Sequence, residues 1–209
     1  MKITKVKATI LIVLISIGIV FIAKVFLKSS HGILLGKSIN HRAKGDPKAP
    51  FQIIEYLDFQ CAACAKGTSI LKEYFQKYPS KIYLEIRYYP ISRIHQHALR
   101  SAVYAECMAR QNKFWPFEEL LIEKQLLWSR LLDVDRMFRE LAEGIGGDLT
   151  GLDRCIEDEN VKAVVLTEKE KGKKLGVDST PTYFINGKMV VGSNNLSQEL
   201  ASLLGEKSH

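Results

Sequence analysis

Cysteine is scarce in this chain of 209 residues: there are four, and only Cys61 and Cys64 stand as a C-x-x-C pair. A second C-x-x-C is missing, and so are C-x-x-H and H-x-x-x-H. Structural zinc takes four ligands, so the sequence offers no complete set and no metal is expected. Internal repeats and low-complexity tracts are also missing, which excludes solenoids and disordered arrays. The folded part lacks an excess of positive charge. Nine of the 30 Lys and Arg but only Asp46 of the 23 acidic residues precede residue 51, leaving 21 basic and 22 acidic side chains after it. The overall charge of +7 is therefore a property of the amino terminus, and no nucleic-acid-binding face is implied.

Charge is absent altogether from Ala8 to Ala23, and the apolar run resumes after Lys24 as Val25, Phe26 and Leu27. At about 1.5 Å per residue, a 20-residue helix over 8–27 reaches roughly 30 Å, the thickness of a bilayer core, if Lys24 snorkels toward the headgroups. Residues 1–7 form a short basic segment and 8–27 a transmembrane signal-anchor. A cleaved signal peptide is the alternative: Lys2, Lys5 and Lys7 make a fair n-region, but no A-x-A site follows and only Ser30-His31-Gly32 offers a poor one. Residues 28–50 hold Gly32, Gly36, Gly45, Asp46, Pro47 and Pro50, the composition of a linker. The domain is expected over 51–209.

Within it, Phe51 to Leu57 and Ile82 to Tyr89 read as strands, the second closed by Pro90. Cys64, Thr68, Leu71, Phe75 and Tyr78 recur at helical spacing between them, and Pro79 follows. From about 92 to 175 the pattern is helical, with segments to Gln111, after Pro116, after Asp133, and short ones from Leu152 and Val161. Strands return at Thr182 to Ile185 and Met189 to Val191 around the hairpin signal Asn186-Gly187, and a last helix is expected near Leu196. The plan is β-α-β, a helical insertion, then β-β-α, an α/β fold.

The dithiol sits where a strand ends and a helix begins. Unpaired N–H groups and the helix dipole favour negative charge there, so Cys61 is expected to be the attacking thiolate. Cys64, one turn further in, is placed to resolve a mixed disulfide on Cys61. A zinc knuckle or two inert thiols are the alternatives. Asp58 to Cys64 (DFQCAAC), followed far downstream by Gly176 to Gly187 (GVDSTPTYFING), resembles the DsbA-like branch of the thioredoxin superfamily over roughly residues 45 to 205. The resemblance implies a thioredoxin-like fold with the helical insertion capping the site, Cys61 as nucleophile, Cys64 as resolving thiol, and a cis peptide bond between Thr180 and Pro181. Such a bond leaves the backbone groups before the proline free to pair with an extended substrate. It also implies a buried acid at Glu55 that relays protons to Cys64, with a solvent-facing Glu on an edge strand as the alternative.

The same resemblance implies a structural disulfide between Cys107 and Cys155, which four cysteines in an exported chain favour. It implies a thiol:disulfide oxidoreductase without a bound cofactor, facing outward from a bacterial cell membrane, or secreted or periplasmic if the signal is cleaved. Its partners would be cysteine-containing exported proteins and a membrane redox partner. The chain departs from the family in carrying Ala62-Ala63 between the cysteines, so no His within the motif donates to the thiolate. His95 and His97 are read as structural, and Phe114 and Trp115 as core or groove wall. A peptide-binding adaptor or chaperone on the same scaffold, or a reductase or isomerase, are the competing readings.

Overall fold

The computed structural model describes residues 40–205, together with Ile15 and Gly18. The expected signal-anchor at 8–27 lies outside the described residues except for those two, both helical. Among the described residues no helix is long and apolar enough to cross a membrane. Two compact units divide the chain at Lys37 and Ser38, and the elements from Asn40 onward belong to the second.

After a single 3-10 turn, Asn40–Arg42, come β1 (Ala43–Gly45), β2 (Phe51–Leu57), α1 (Ala62–Lys77) and β3 (Ile82–Tyr88). The helical insertion follows as α2 (Ala98–Arg110), α3 (Phe114–Glu123), α4 (Gln125–Trp128), α5 (Asp135–Gly144), α6 (Leu149–Ile156) and α7 (Glu159–Lys174). The chain closes with β4 (Thr182–Ile185), β5 (Lys188–Val191) and α8 (Ser193–Leu204). The sheet order is β1-β3-β2-β4-β5. β2 runs parallel to β3 and antiparallel to β4, and β1 and β5 form antiparallel edges. The apolar residues of β2 and β3 do not simply alternate with polar ones, as expected of central strands covered on both faces. Asn186 and Gly187, both at positive φ (50° and 86°), make the tight turn between β4 and β5.

Helices approach the sheet closely from both sides. A Cβ on Gly67 of α1 would come within 2.0 Å of the Tyr183 hydroxyl, and one on Gly172 of α7 within 2.7 Å of the Tyr56 ring. Register pairs Glu55 with Tyr183 across β2 and β4, so both side chains lie on the α1 face. The insertion has its own aromatic centre. Phe138 stands edge-on to Tyr104 and Trp128 at 5.3 and 5.2 Å between ring centroids, and the Trp128 indole donates to the Leu121 carbonyl at 2.7 Å. Cys107 of α2 and Cys155 of α6 are joined as a disulfide with Cα atoms 5.8 Å apart.

The expected linker 28–50 needs correction at its end, because residues 40–45 are part of the fold. β1 pairs with β3, and Arg42 is 1% exposed. A charged residue among Gly, Asp and Pro reads as solvated chain, and nothing local announces that it is buried. Helix α3 begins at Phe114 instead of after Pro116, since a proline in the first helical turn removes an N–H that has no intrahelical partner anyway. Helix α7, expected to be short, runs for 16 residues. Its buried stripe is Val161, Val165, Glu168 and Gly172, and a glutamate and a glycine interrupt the apolar periodicity that would have displayed its length.

Candidate active site

Cys61 is the N-cap of α1, in extended conformation with φ −78° and ψ 119°, and is half-buried, whereas Cys64 is fully buried. Residues 58–60 hold the turn in place. The buried Asp58 accepts from the Gln60 and Ile91 amides, each at 2.8 Å, and its Oδ2 lies 2.8 Å from His95 Nδ1. The Gln60 side chain accepts from the His97 amide at 2.8 Å. The Gln125 amide group donates to the carbonyls of Phe59 at 2.7 Å and Cys61 at 3.1 Å. His95 and His97 thus have hydrogen-bond roles, His97 Nε2 lying 2.8 Å from the Leu131 carbonyl oxygen. Both thiols are free.

The bond between Thr180 and Pro181 is cis. It brings the Thr180 carbonyl oxygen 3.4 Å from Cys61 Sγ. The two thiols are strongly unlike. A hydrogen bond from the Cys64 thiol and the backbone N–H groups of Cys64 and Ala63 outweigh partial burial and bring the Cys61 pKa down to about 5. Burial, the bond to Cys61 and the charges of Cys61 and Glu55 push Cys64 well above the ordinary thiol range. At neutral pH one proton is therefore shared by the pair and sits on Cys64. Alkylation of the reduced chain should consequently rise with pH through a midpoint near 5, against about 8.5 for an unperturbed thiol. A midpoint above about 7.5, measured by iodoacetamide labelling and mass spectrometry of the Cys61 peptide, would contradict this geometry.

Glu55 lies in the central strand β2 and is 1% exposed, so the edge-strand alternative does not apply. Burial first, then the Glu118 carboxylate, raise its pKa to about 8, against the opposing Tyr183 hydroxyl and Lys44 ammonium. Tyr183 faces it, yet neither that hydroxyl nor Glu55 Oε1 completes a hydrogen bond of good geometry among the described residues.

The sequence did not single out Glu118 of α3, Lys44 of β1 or Tyr183. A signal for Glu118 did exist, because Phe114, Phe117, Glu118 and Leu121 are the buried stripe of α3 at helical spacing, and an acid on such a stripe needs a reason. Lys44 was hidden inside the expected linker. Among the described residues no group of His, Cys, Asp and Glu is arranged to hold a metal ion.

Comparison with known proteins places this geometry. The family model described as Thioredoxin matches residues 37–204. Alpha-DsbA1 of Wolbachia pipientis superposes with a TM-score of 0.66 at 21% identity, over 78% of this chain and 90% of that one. A periplasmic thioredoxin-like protein of Salmonella enterica serovar Typhimurium gives 0.66 at 19% identity, over 84% and 97%. A Na(+)/H(+) antiporter NhaA 3 of Salinispora tropica is 27% identical over 187 residues, 87% of this chain but 28% of the antiporter. The chain thus spans about a quarter of the length of the curated relatives it matches. With the family model covering most of its length and this architecture around Cys61 and Cys64, the chain belongs to the thioredoxin family and has the fold of the DsbA-like proteins.

Proposed function

We propose that this chain is a thiol:disulfide oxidoreductase that oxidises cysteine pairs in exported proteins. Residues 8–27 anchor it in a bacterial membrane, and its domain lies on the extracytoplasmic side. The observation that carries the reading is the inequality of the two thiols, one ionised at the mouth of α1 and one protonated beneath it. Whatever stabilises the Cys61 thiolate stabilises the reduced form, and so makes the Cys61–Cys64 disulfide a better oxidant. The Cys107–Cys155 disulfide supports an oxidising compartment.

The reaction runs as two exchanges. A substrate thiolate attacks Cys61 Sγ, the Cys61–Cys64 bond breaks, and Cys64 leaves and takes a proton from Glu55. The second substrate thiol gives its proton to water and attacks the substrate sulfur of the mixed disulfide. Cys61 departs as the thiolate. Two electrons have passed from substrate to the dithiol, and a membrane redox partner removes them. Thr180 and Pro181 border the nucleophile, where the Thr180 backbone can pair with an extended peptide.

The test is the equilibrium of the Cys61–Cys64 couple with glutathione. An oxidant should settle near roughly −120 mV, and a value near roughly −270 mV would instead assign the chain to reductive chemistry.

A further inference from the structure

Two buried carboxyl groups, from different parts of the fold, lie within electrostatic reach of one cation, the Lys44 ammonium. Glu55 comes from β2 and Glu118 from α3, at 1% and 4% exposure. The charge of Lys44 on β1 acts on both, and its ammonium lies 4.1 Å from the Trp115 ring centroid and 5.0 Å from that of Phe75. Thr68, one helical turn beyond Cys64, has its hydroxyl 3.5 Å from Glu118 Oε1. The remaining charges around Glu118 are Glu119 on its own helix and Lys72 on α1, and these two pair with each other at the surface. Around Glu55 the other titratable groups are Tyr183, Cys61 and Cys64. One ammonium balances one carboxylate, and a second ionised carboxylate in this apolar setting would be uncompensated. The two acids therefore hold one proton between them through neutral pH.

We propose that Glu118 is a positioning residue for the thiol-disulfide exchange: it takes the ionised place beside Lys44 and Thr68, and so keeps the proton on Glu55, where the departing Cys64 needs it. The proposal rests on the oxidoreductase reading above. It assigns a role to the helical insertion beyond capping, since α3 supplies the charge that sets the acid in the sheet. The direction of the shifts agrees, with Glu55 raised to about 8 and Glu118 to about 7. The proton balance is simple. When the Cys61–Cys64 bond breaks, Glu55 loses a proton to Cys64 and regains one from solvent.

The test titrates the Glu55 carboxyl by carbon NMR in the full chain, oxidised and reduced, in the wild type, Glu118→Gln, Glu118→Asp and Lys44→Met. Removing the neighbouring negative charge should lower the Glu55 midpoint by about one unit in Glu118→Gln, and removing the positive charge should raise it by a similar amount in Lys44→Met. Glu118→Asp, which keeps the charge, should stay near the wild type. The oxidation rate of a dithiol peptide, divided by that of Glu55→Gln to cancel ionisation of the peptide, should lose its high-pH limb earlier in Glu118→Gln. A purely structural Glu118 would not move these midpoints in opposite directions. An unchanged Glu55 midpoint in Glu118→Gln overturns the proposal and leaves the oxidoreductase reading standing. A wild-type chain that fails to oxidise the peptide overturns the oxidoreductase reading and leaves the Glu55 titration readable by itself.

Discussion

Cys61→Ser and Cys64→Ser should each reduce oxidation of a dithiol substrate to the uncatalysed rate, but when the substrate is supplied in its disulfide form the Cys61 thiolate of Cys64→Ser should attack it, release one substrate thiolate and hold the rest as a mixed disulfide. The asymmetry follows from position. Cys61 caps α1 and is half-buried, within reach of a large substrate, while Cys64 has no exposed surface. Attack requires a thiolate, and a group brought down to about 5 is almost wholly ionised at neutral pH, where an ordinary thiol is ionised to only a few per cent. In the reaction with a disulfide substrate, Cys64 is the thiol that would attack Cys61 Sγ and expel the substrate, so without it the adduct should outlast that of the wild type until dithiothreitol releases it. Removing Cys64 also removes the hydrogen bond that is the foremost cause of the low Cys61 value. The Cys61 pKa in Cys64→Ser should therefore rise only as far as the serine hydroxyl fails to replace that donor. Non-reducing electrophoresis of substrate incubated with each variant reads the result. Adducts on Cys61→Ser but not on Cys64→Ser would reverse the two roles.

The parts of the fold that the sequence displayed are those in which one physical signal dominates. Strand β2 was found to the residue because an apolar run is bounded by Pro50 and the Asp58 turn, and β3 ended one residue early, at Tyr88. The β4–β5 hairpin followed from Asn186-Gly187, whose backbone takes the positive φ values that this turn needs. The dithiol was legible because its meaning lies in spacing and in the helix start, both local. What stayed hidden is where charge is buried and neutralised from afar. Arg42 meets Glu168 across 126 residues, and Glu118 of the helical insertion acts on Glu55 of the central strand. A sequence reading takes a charged residue as exposed unless a partner is in view, and here each partner is brought by the tertiary fold. For the same reason α7 looked short and residues 40–45 looked like linker.

Arg42 offers the sharpest test of that buried charge. Arg42→Met should cost about 3–5 kcal/mol, the usual penalty for removing one partner of a buried ion pair. Its guanidinium donates to both oxygens of Glu168, at 2.8 and 2.6 Å, and to the Ile86 carbonyl at 3.2 Å. Its Nε lies 3.4 Å from Glu106, and it stacks 4.1 Å from the Tyr88 ring centroid. Glu168 also accepts from the Tyr88 amide at 2.9 Å, so the network joins the 3-10 turn, β3, α2 and α7. Methionine fills much of the volume, but Glu168 loses its bidentate partner and keeps Arg87 at 3.4 Å, and Glu106 loses one of the two guanidinium groups beside it and keeps Arg110 at 3.3 Å. For a domain of this size each kcal/mol is worth about 2–4 °C, so the melting temperature should fall by about 6–20 °C. Arg42→Lys should rescue only partly, because an ammonium cannot make the bidentate contact or stack on Tyr88 in the same way. Adding Glu168→Gln to Arg42→Met should restore part of the loss, since it removes a buried carboxylate that has lost its bidentate partner. The coupling appears in a double-mutant cycle as a combined cost smaller than the sum of the single ones. If Arg42→Met melted at the wild-type temperature, residues 40–45 would lie outside the cooperative fold, and the anchoring of the chain onto β3 described here would be incorrect.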